Sequence, residues 1–426
     1  MRRNLLLLLV ISALAAQTAY GAVSDEDLEQ LRQQIAAMSQ RLDELAKENV
    51  ELRHSQSQTA TVVTGVQGPV HSAAPESWSE RISLNGDFRF RYETIDVENS
   101  AFRRRNRIRA RANIQADLTN NVEVGFGLAT GGEDPVSTNQ TLGSGGSSKD
   151  VVLDLAYADW TLSDGLNLFA GKFKNPLLRA GRQSLIFDAD WRPEGLAVNF
   201  KRDWLFLNAI GSWLESDTGK SNDNFSWGGQ IGAAIQIGSS KLKGGVGYYS
   251  IKTRGESTTF GDPGDPSDYF GNTAVEAGGL PCGSTPDTGC VYLYDYLLTQ
   301  AFAEAAFDLG NWPTVVFLDY VNNSDPANNN TGWAMGTRIG QVTDLGDVQF
   351  SYYYADKEAD STLGLVTDSD FAGGGTDNKG HFLKVNFGVN KSLSIGAQYF
   401  INEIDISSGS KRDYNRLQID AQWKWK

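Results

Sequence analysis

Cysteine, histidine, methionine and proline are all scarce in this chain: among 426 residues there are 2 Cys, 3 His, 3 Met and 11 Pro. Two cysteines exclude a disulfide-knit scaffold and are too few ligands for a thiolate metal site. They stand in CGSTPDTGC, flanked by glycine, proline and an acidic residue with no histidine near. Cys282 and Cys290 are therefore expected to close one short exposed loop as a disulfide. The three histidines are His54, His71 and His381, so a nucleophile paired with a positioned base has little to draw on and an enzyme is not expected. Positive charge is also in deficit, with 38 Lys+Arg against 52 Asp+Glu and a net charge of −14. The basic residues are not gathered into one domain, which excludes nucleic acid as a partner. Beyond the first residues no apolar run reaches the roughly 20 needed for a membrane-spanning helix. Nothing in the sequence calls for a cofactor.

The N-terminus has the form of a secretory signal peptide over residues 1–21. Arg2 and Arg3 precede LLLLLVISALAA, and the small residues Ala19 and Gly21 set a cleavage point. Residues 22–54 then carry the one long helical period. Leu28, Ile35, Leu42 and Asn49 fall on heptad position a, and Leu31, Met38, Leu45 and Leu52 on d, which is a coiled coil expected to lie in the periplasm. Residues 55–79 have no period and read as a linker.

From residue 80 to 426 the period changes to two. In RISLNGDFRFRYE, Ile82, Leu84, Phe88, Phe90 and Tyr92 share one face of a strand while Asp87, Arg89 and Arg91 share the other. The alternation returns in VEVGFGL, VQFSYYYA, HFLKVNFGV, LSIGAQYFI and RLQIDAQWKWK. Connections are alternately short (around 120–121, 163–165, 239–240 and 391–392) and long (132–149, 176–193, 253–291 and 359–380). Aromatics gather near strand ends. The expected fold is an all-β transmembrane barrel of roughly sixteen antiparallel strands, in which closure pairs every backbone group within lipid.

One strand is unusual. FRRRNRIRARANIQADL carries arginine at 103, 105, 107, 109 and 111, with Ile108, Ala110, Ala112 and Ile114 on the opposite face of a strand. Only a strand places all five on one side. Charge on the lipid side would cost about 2–4 kcal/mol per residue near mid-membrane, so these arginines must face an aqueous lumen. Arg104 breaks the rule and is expected at the outer rim beside Phe102. With Arg89 and Arg91 on the neighbouring strand, across a hairpin expected near 94–101, the five form a candidate pore-lining set. Three roles stay open: pairing with acidic residues on adjoining strands, an anion-favouring path, or holding lipid phosphates.

GFGLATGGEDPVSTNQTL, VVLDLAYADW, LFAGKFKNPLLR and FDADWRPEGLAVNF, in that order, resemble the putative-porin family of Gram-negative outer membranes. The resemblance implies an outer-membrane barrel, a homotrimer, that passes small hydrophilic solutes or ions. It departs from many barrels at its end, where Lys426 follows the aromatic Trp425. In general porins of this strand number the third long loop folds into the pore. Here that loop and its flanks bring Lys172, Lys174, Arg179, Arg182 and Arg192 together with Asp188, Asp190 and Glu194, a candidate constriction with charges of both signs. The oxygen-rich VNNSDPANNNT lacks the spacing of a calcium loop. The leading expectation is passive diffusion of small solutes, with outer-membrane lipid around the barrel. The alternative is a structural anchor whose coiled coil, extending roughly 45 Å at about 1.5 Å per residue, touches the cell wall.

Overall fold

The structure, a computed structural model, describes residues 78–426 apart from 120, 217–223, 257–268, 277, 283 and 285–288. The expected signal peptide, coiled coil and nearly all of the linker lie outside the described residues. The described chain opens on a 3-10 turn, Trp78–Arg81, and leads at once into strand.

Nineteen strands follow among the described residues. They are β1 (Ile82–Val97), β2 (Arg103–Thr119), β3 (Val122–Thr130), the two-residue β4 (Gln140–Thr141), β5 (Val151–Ser163), β6 (Leu166–Lys172), β7 (Glu194–Arg202), β8 (Leu205–Glu215), β9 (Asn224–Ile237) and β10 (Ser240–Ile251). Then come the short pair β11 (Ala274–Glu276) and β12 (Cys290–Tyr292), followed by β13 (Tyr296–Leu309), β14 (Trp312–Asn323), β15 (Thr331–Gly340), β16 (Val348–Lys357), β17 (Asn378–Gly388), β18 (Leu393–Ile404) and β19 (Arg412–Trp425). Sixteen of these form one antiparallel sheet that closes on itself, because β1 pairs with β2 on one side and β19 on the other. The closure runs in register from Gly86 opposite Trp425 to Val97 opposite Tyr414. β4 only extends the edge of β2 above β3, and β11 with β12 make a separate ribbon.

The period-two sequence explains this sheet. Leu84, Phe90, Ile114, Phe126, Leu196, Ile231, Leu318, Leu383 and Ile401 are all exposed, as the outer wall of a membrane barrel requires. Trp160, Trp204, Trp312 and Trp425 mark the end with short turns, and Trp213, Trp227, Tyr248 and Tyr320 the end with long loops. These are interfacial girdles. Arg104 lies where expected, its guanidinium 5.1 Å from the centre of the Phe102 ring. The first hairpin turns later than expected, at 98–102, because Ile95 and Val97 extend β1 to the end of its pairing with β19.

The buried apolar residues lie inside the barrel. Phe206, Ile210, Tyr249, Leu298, Phe302, Phe317 and Phe400 point inward from the wall and meet apolar residues of two long connections. These are the third, 173–193 (L3), and the seventh, 358–377 (L7). Cys282 and Cys290 are bridged within the fifth, 252–295 (L5), with Cα atoms 5.7 Å apart.

Candidate functional site

L3 is tied at its base, where the Phe173 N–H donates to the Pro193 carbonyl at 3.2 Å. From there its apolar residues, Leu177, Ala180, Leu185, Ile186, Phe187 and Trp191, are buried against the inner wall. Phe187 stacks on Trp191 with ring centres 4.7 Å apart and meets the edge of Tyr249. Polar wall residues then fix the backbone. Gln230 on β9 accepts from the Leu178 N–H at 2.7 Å and donates to its carbonyl at 2.9 Å. Glu304 on β13 accepts from the Gly181 N–H at 2.7 Å, and Asp319 on β14 accepts from Gln183 at 2.8 Å. Gly181 has φ of 61° and lies so close to Phe317 that a Cβ there would sit 2.2 Å from the ring. Only glycine fits. L3 thus crosses the lumen to β13–β15 and returns to β2.

L7 also folds inward. Phe371 stacks on Tyr353 at 5.8 Å, the Ala372 N–H donates to Asn402 at 3.0 Å, and Val366 accepts from the Asp188 N–H of L3 at 2.7 Å. L5 holds it from outside: the Asn272 amide donates to the carbonyls of Ala359 and Thr362 and accepts from the Gly364 N–H. A third segment, Val136–Asn139 of the second long connection (131–150, L2), reaches the same region, where Ser369 donates to the Val136 carbonyl.

These loops leave the wall made by β1, β2 and β19 facing open space. Its arginines are largely paired. Arg91, almost fully buried, makes a two-pronged contact with Asp420 at 2.7 and 2.8 Å and reaches Asp370 of L7 at 2.9 Å. Arg109 and Arg111 share Asp87 at 2.9 and 2.7 Å, and both contact Asp190 of L3, at 3.4 and 2.8 Å. Glu93 binds Arg105 and Arg416, and Arg416 holds Asp370 at 2.7 Å. Planar guanidinium suits such forked, shared contacts better than ammonium does.

L3 and L7 meet this wall by one device used twice. In FDADW the Asp188 carboxylate accepts from the Asp190 N–H at 2.6 Å, and in DSDF the Asp368 carboxylate accepts from the Asp370 N–H at 2.8 Å. In each turn the second aspartate takes the arginines, while Asp188 lies near Asp368 and Asp368 accepts from the Tyr353 hydroxyl at 3.5 Å. Burial raises the affinity of Asp188 for a proton, and Asp368 and Asp190 beside it raise it further, so its pKa lies well above the usual carboxylate value. Burial acts the same way on Asp190, but Arg109, Arg111 and Arg192 outweigh it and hold that group low.

The sequence matches the family described as putative porin over residues 96–262 and 293–425. The chain belongs to that family. No curated protein matches it. Among solved structures it is similar to Pseudomonas putida OprB in its high-pH form, with a TM-score of 0.52 and 11% identity over 82% of this chain and 95% of that one. It is also similar to Salmonella typhi OmpF in complex with daunomycin, with a TM-score of 0.48 and 10% identity over 81% and 97%. At such identities the OprB match speaks for the fold alone, an outer-membrane porin barrel. That fold and family are those of a channel rather than an enzyme.

Within this porin family member, two cavities flank the paired layer. One of about 790 Å³ opens toward the long loops, with Arg103, Arg105, Arg107, Ser137, Arg412 and Arg416 in its lining. The other, about 1080 Å³, opens toward the short turns and includes Asp87, Arg111, Lys174, Arg179, Asp188 and Asp190. Arg109 lies between Arg107 and Arg111 on β2, and Arg89 opposite it on β1. Arg182 stands exposed on L3, and Arg192 holds Asp154 at 3.2 Å. Lys172 and Glu194 do not belong to the constriction. They are register partners on the outward face, in line with Ala170 and Leu196, and pair with each other at 2.5 Å. Leu166 and Leu168 share the parity of Lys172, and a lipid-facing parity takes Lys172 with it. L7, Asn139, Arg416 and Asp420 were not anticipated from sequence. The repeated Asp-x-Asp of DAD and DSD was the available signal.

Proposed function

We propose that this outer-membrane porin passes small hydrophilic solutes and ions along the wall of β1, β2 and β19, and that it favours anions. The observation that carries this reading is the charge balance of that wall. Among the described residues, the ion pairs of the seven ladder arginines and Arg416 are made with five carboxylates, Asp87, Glu93 and Asp420 of the same strands and Asp190 and Asp370 of the loops. Pairing therefore consumes part of the positive charge and leaves a surplus. In a narrow aqueous path between low-dielectric walls, a surplus of one sign focuses field lines and concentrates counter-ions. The acidic net charge of the whole chain does not oppose this, because selectivity follows the charges at the constriction.

Purified protein in a planar bilayer tests the reading. Discrete channel openings are expected, with a reversal potential under a potassium chloride gradient on the chloride side. A folded barrel that carries no current, or one that prefers potassium, would overturn it. We also propose a trimer of barrels, which association of the expected 22–54 helices in the periplasm would reinforce, since short coiled coils need help from a second contact; the heptads, with Asn49 at position a, do not themselves set the number of helices. Native mass measurement in mild detergent reads that assembly directly, and monomers would count against it.

A further inference from the structure

We propose that Arg89 and Arg107, with Asn139 of L2 between them, form a binding site for a small oxyanion midway along the lumen. The inference rests on the reading of the lumen as the conducting path, and gives that path a discrete station.

The two arginines differ from the others in the wall. Arg91, Arg105, Arg109, Arg111 and Arg416 each bind at least one carboxylate. Among the described residues, Arg89 and Arg107 bind none. Arg89 Nη2 donates to the Asn139 side-chain oxygen at 2.5 Å, and Arg107 Nη2 approaches the Asn139 carbonyl at 3.5 Å. Both Nε–H groups are buried with no acceptor among the described residues. A guanidinium offers five donors, so most of the donor capacity here is unused in a place screened from bulk water. A cation in that position costs free energy unless an acceptor of opposite charge completes it.

The neighbouring carboxylates cannot supply that acceptor. Asp370 is divided between Arg91 and Arg416, Glu93 between Arg105 and Arg416, and Asp87 between Arg109 and Arg111. Asn139 cannot supply it either. Its amide nitrogen donates to Ser137 at 3.1 Å, which orients the side chain so that only a neutral oxygen meets Arg89. What the pair accepts is therefore an anion from solution. Two guanidiniums that meet at one residue favour an anion with several oxygens, which takes hydrogen bonds from both at once, over a monatomic one. Phosphate and carboxylate groups share this chemistry. Arg107 lines the outer cavity, which gives such an ion its approach from the long-loop end.

Equilibrium binding of inorganic phosphate, and separately of acetate, to the detergent-solubilised protein tests the site without requiring conduction. Saturable binding of at least one is expected, and the tighter of the two assigns the source. The double variant Arg89→Gln, Arg107→Gln, checked for its β-sheet circular dichroism, should bind about tenfold more weakly or worse. Arg104→Gln, on the outer face, should bind as the parent does. Absence of saturable binding by either ion, or equal binding by the double variant, would overturn the site. Chloride conductance is recorded on the same preparations. A protein that binds phosphate but carries no current sinks the porin reading and leaves the site; one that conducts without binding does the reverse.

Discussion

On β8, β10, β13 and β14 the inward positions hold Phe206, Ile210, Tyr249, Leu298, Phe302 and Phe317 with a few polar groups such as Gln300, Glu304 and Asp319 between them, whereas on β1, β2 and β19 they are dominated by arginines and carboxylates. The two halves of one barrel wall therefore do different work. On the apolar half each buried side chain contributes about 1.5–3 kcal/mol by leaving water, enough to hold long loops that would otherwise stay outside. On the charged half the same packing would be costly, so only the tips of the loops arrive, L3 by Asp190, L7 by Asp370 and L2 by Asn139. The loops are anchored where the wall is greasy and end where it is charged. The apolar residues of the loops fill the lumen beside β8–β14, and the two cavities lie beside β1, β2 and β19.

The strongest way to break that arrangement is at the tip of L7. Asp370→Ala leaves Arg91 and Arg416, 1% and 2% exposed, each short of a partner. Breaking a buried pair costs about 3–5 kcal/mol, and the lower end applies because Arg91 keeps Asp420 and Arg416 keeps Glu93. Denaturant unfolding in detergent should show a loss of about 3 kcal/mol. Single-channel current should rise as L7 leaves the wall. Unchanged current at lowered stability would mean that L7 does not limit the path.

The anchored side is tested by Gly181→Val. The new side chain meets the Phe317 ring and must adopt a left-handed backbone at φ 61°. Overpacking and backbone strain together should cost about 2 kcal/mol or more and lift L3 from β13–β15. A several-fold larger current is the expected sign. If the current does not change, L3 is held by its polar contacts with Gln230, Glu304 and Asp319 alone.

Much of this is legible in the sequence. The period of two survives in every long strand, because lipid outside and water or packing inside impose it at each step. The arginine ladder follows from the same rule, and the alternation of short and long connections is legible in the spacing of the runs because the two ends of such a barrel differ. What stayed hidden depends on contacts distant in sequence. Nothing local in 358–377 announces that Phe371 finds Tyr353 or that Asn272, some 90 positions earlier, holds Gly364. Which carboxylates take which arginines was equally out of reach, since β1 meets β19 only on closure. Lys172 was misplaced because it ends a strand, where position along the chain pointed to the loop and parity pointed outward.

The two Asp-x-Asp turns separate within themselves on titration. Asp188 has a raised pKa in the fold, so its protonated form is favoured there. Its contribution is fully present below its ordinary value of 3.8 and is lost as pH rises through the raised value. Asp190 has a lowered pKa, and its contribution is present above 3.8 and lost as pH falls through the lowered value. Asp188→Asn, which can still accept from the Asp190 N–H, should therefore stabilise the protein at pH 7. The advantage should vanish below 3.8. Unfolding curves of the two proteins at pH 7 and pH 3 decide it; an advantage equal at both values would mean that charge at Asp188 is not the cause.

The smallest effect should come from two lysines two residues apart on opposite sides of the wall. Lys174 lines the inner cavity with Asp188 and Asp190, while Lys172 pairs with Glu194 on the outer face. Replacing Lys172 by Gln removes a partly exposed ion pair worth about 0–1 kcal/mol and touches no luminal charge. Its reversal potential should match the parent. Replacing Lys174 by Gln removes a positive charge from the path, and the potential should move toward cation preference with no comparable change in stability. A shift from Lys172→Gln and none from Lys174→Gln would reverse the assignment of faces at the end of β6. The error would then extend to Leu168 and Ala170, because parity binds all three to one side of the strand.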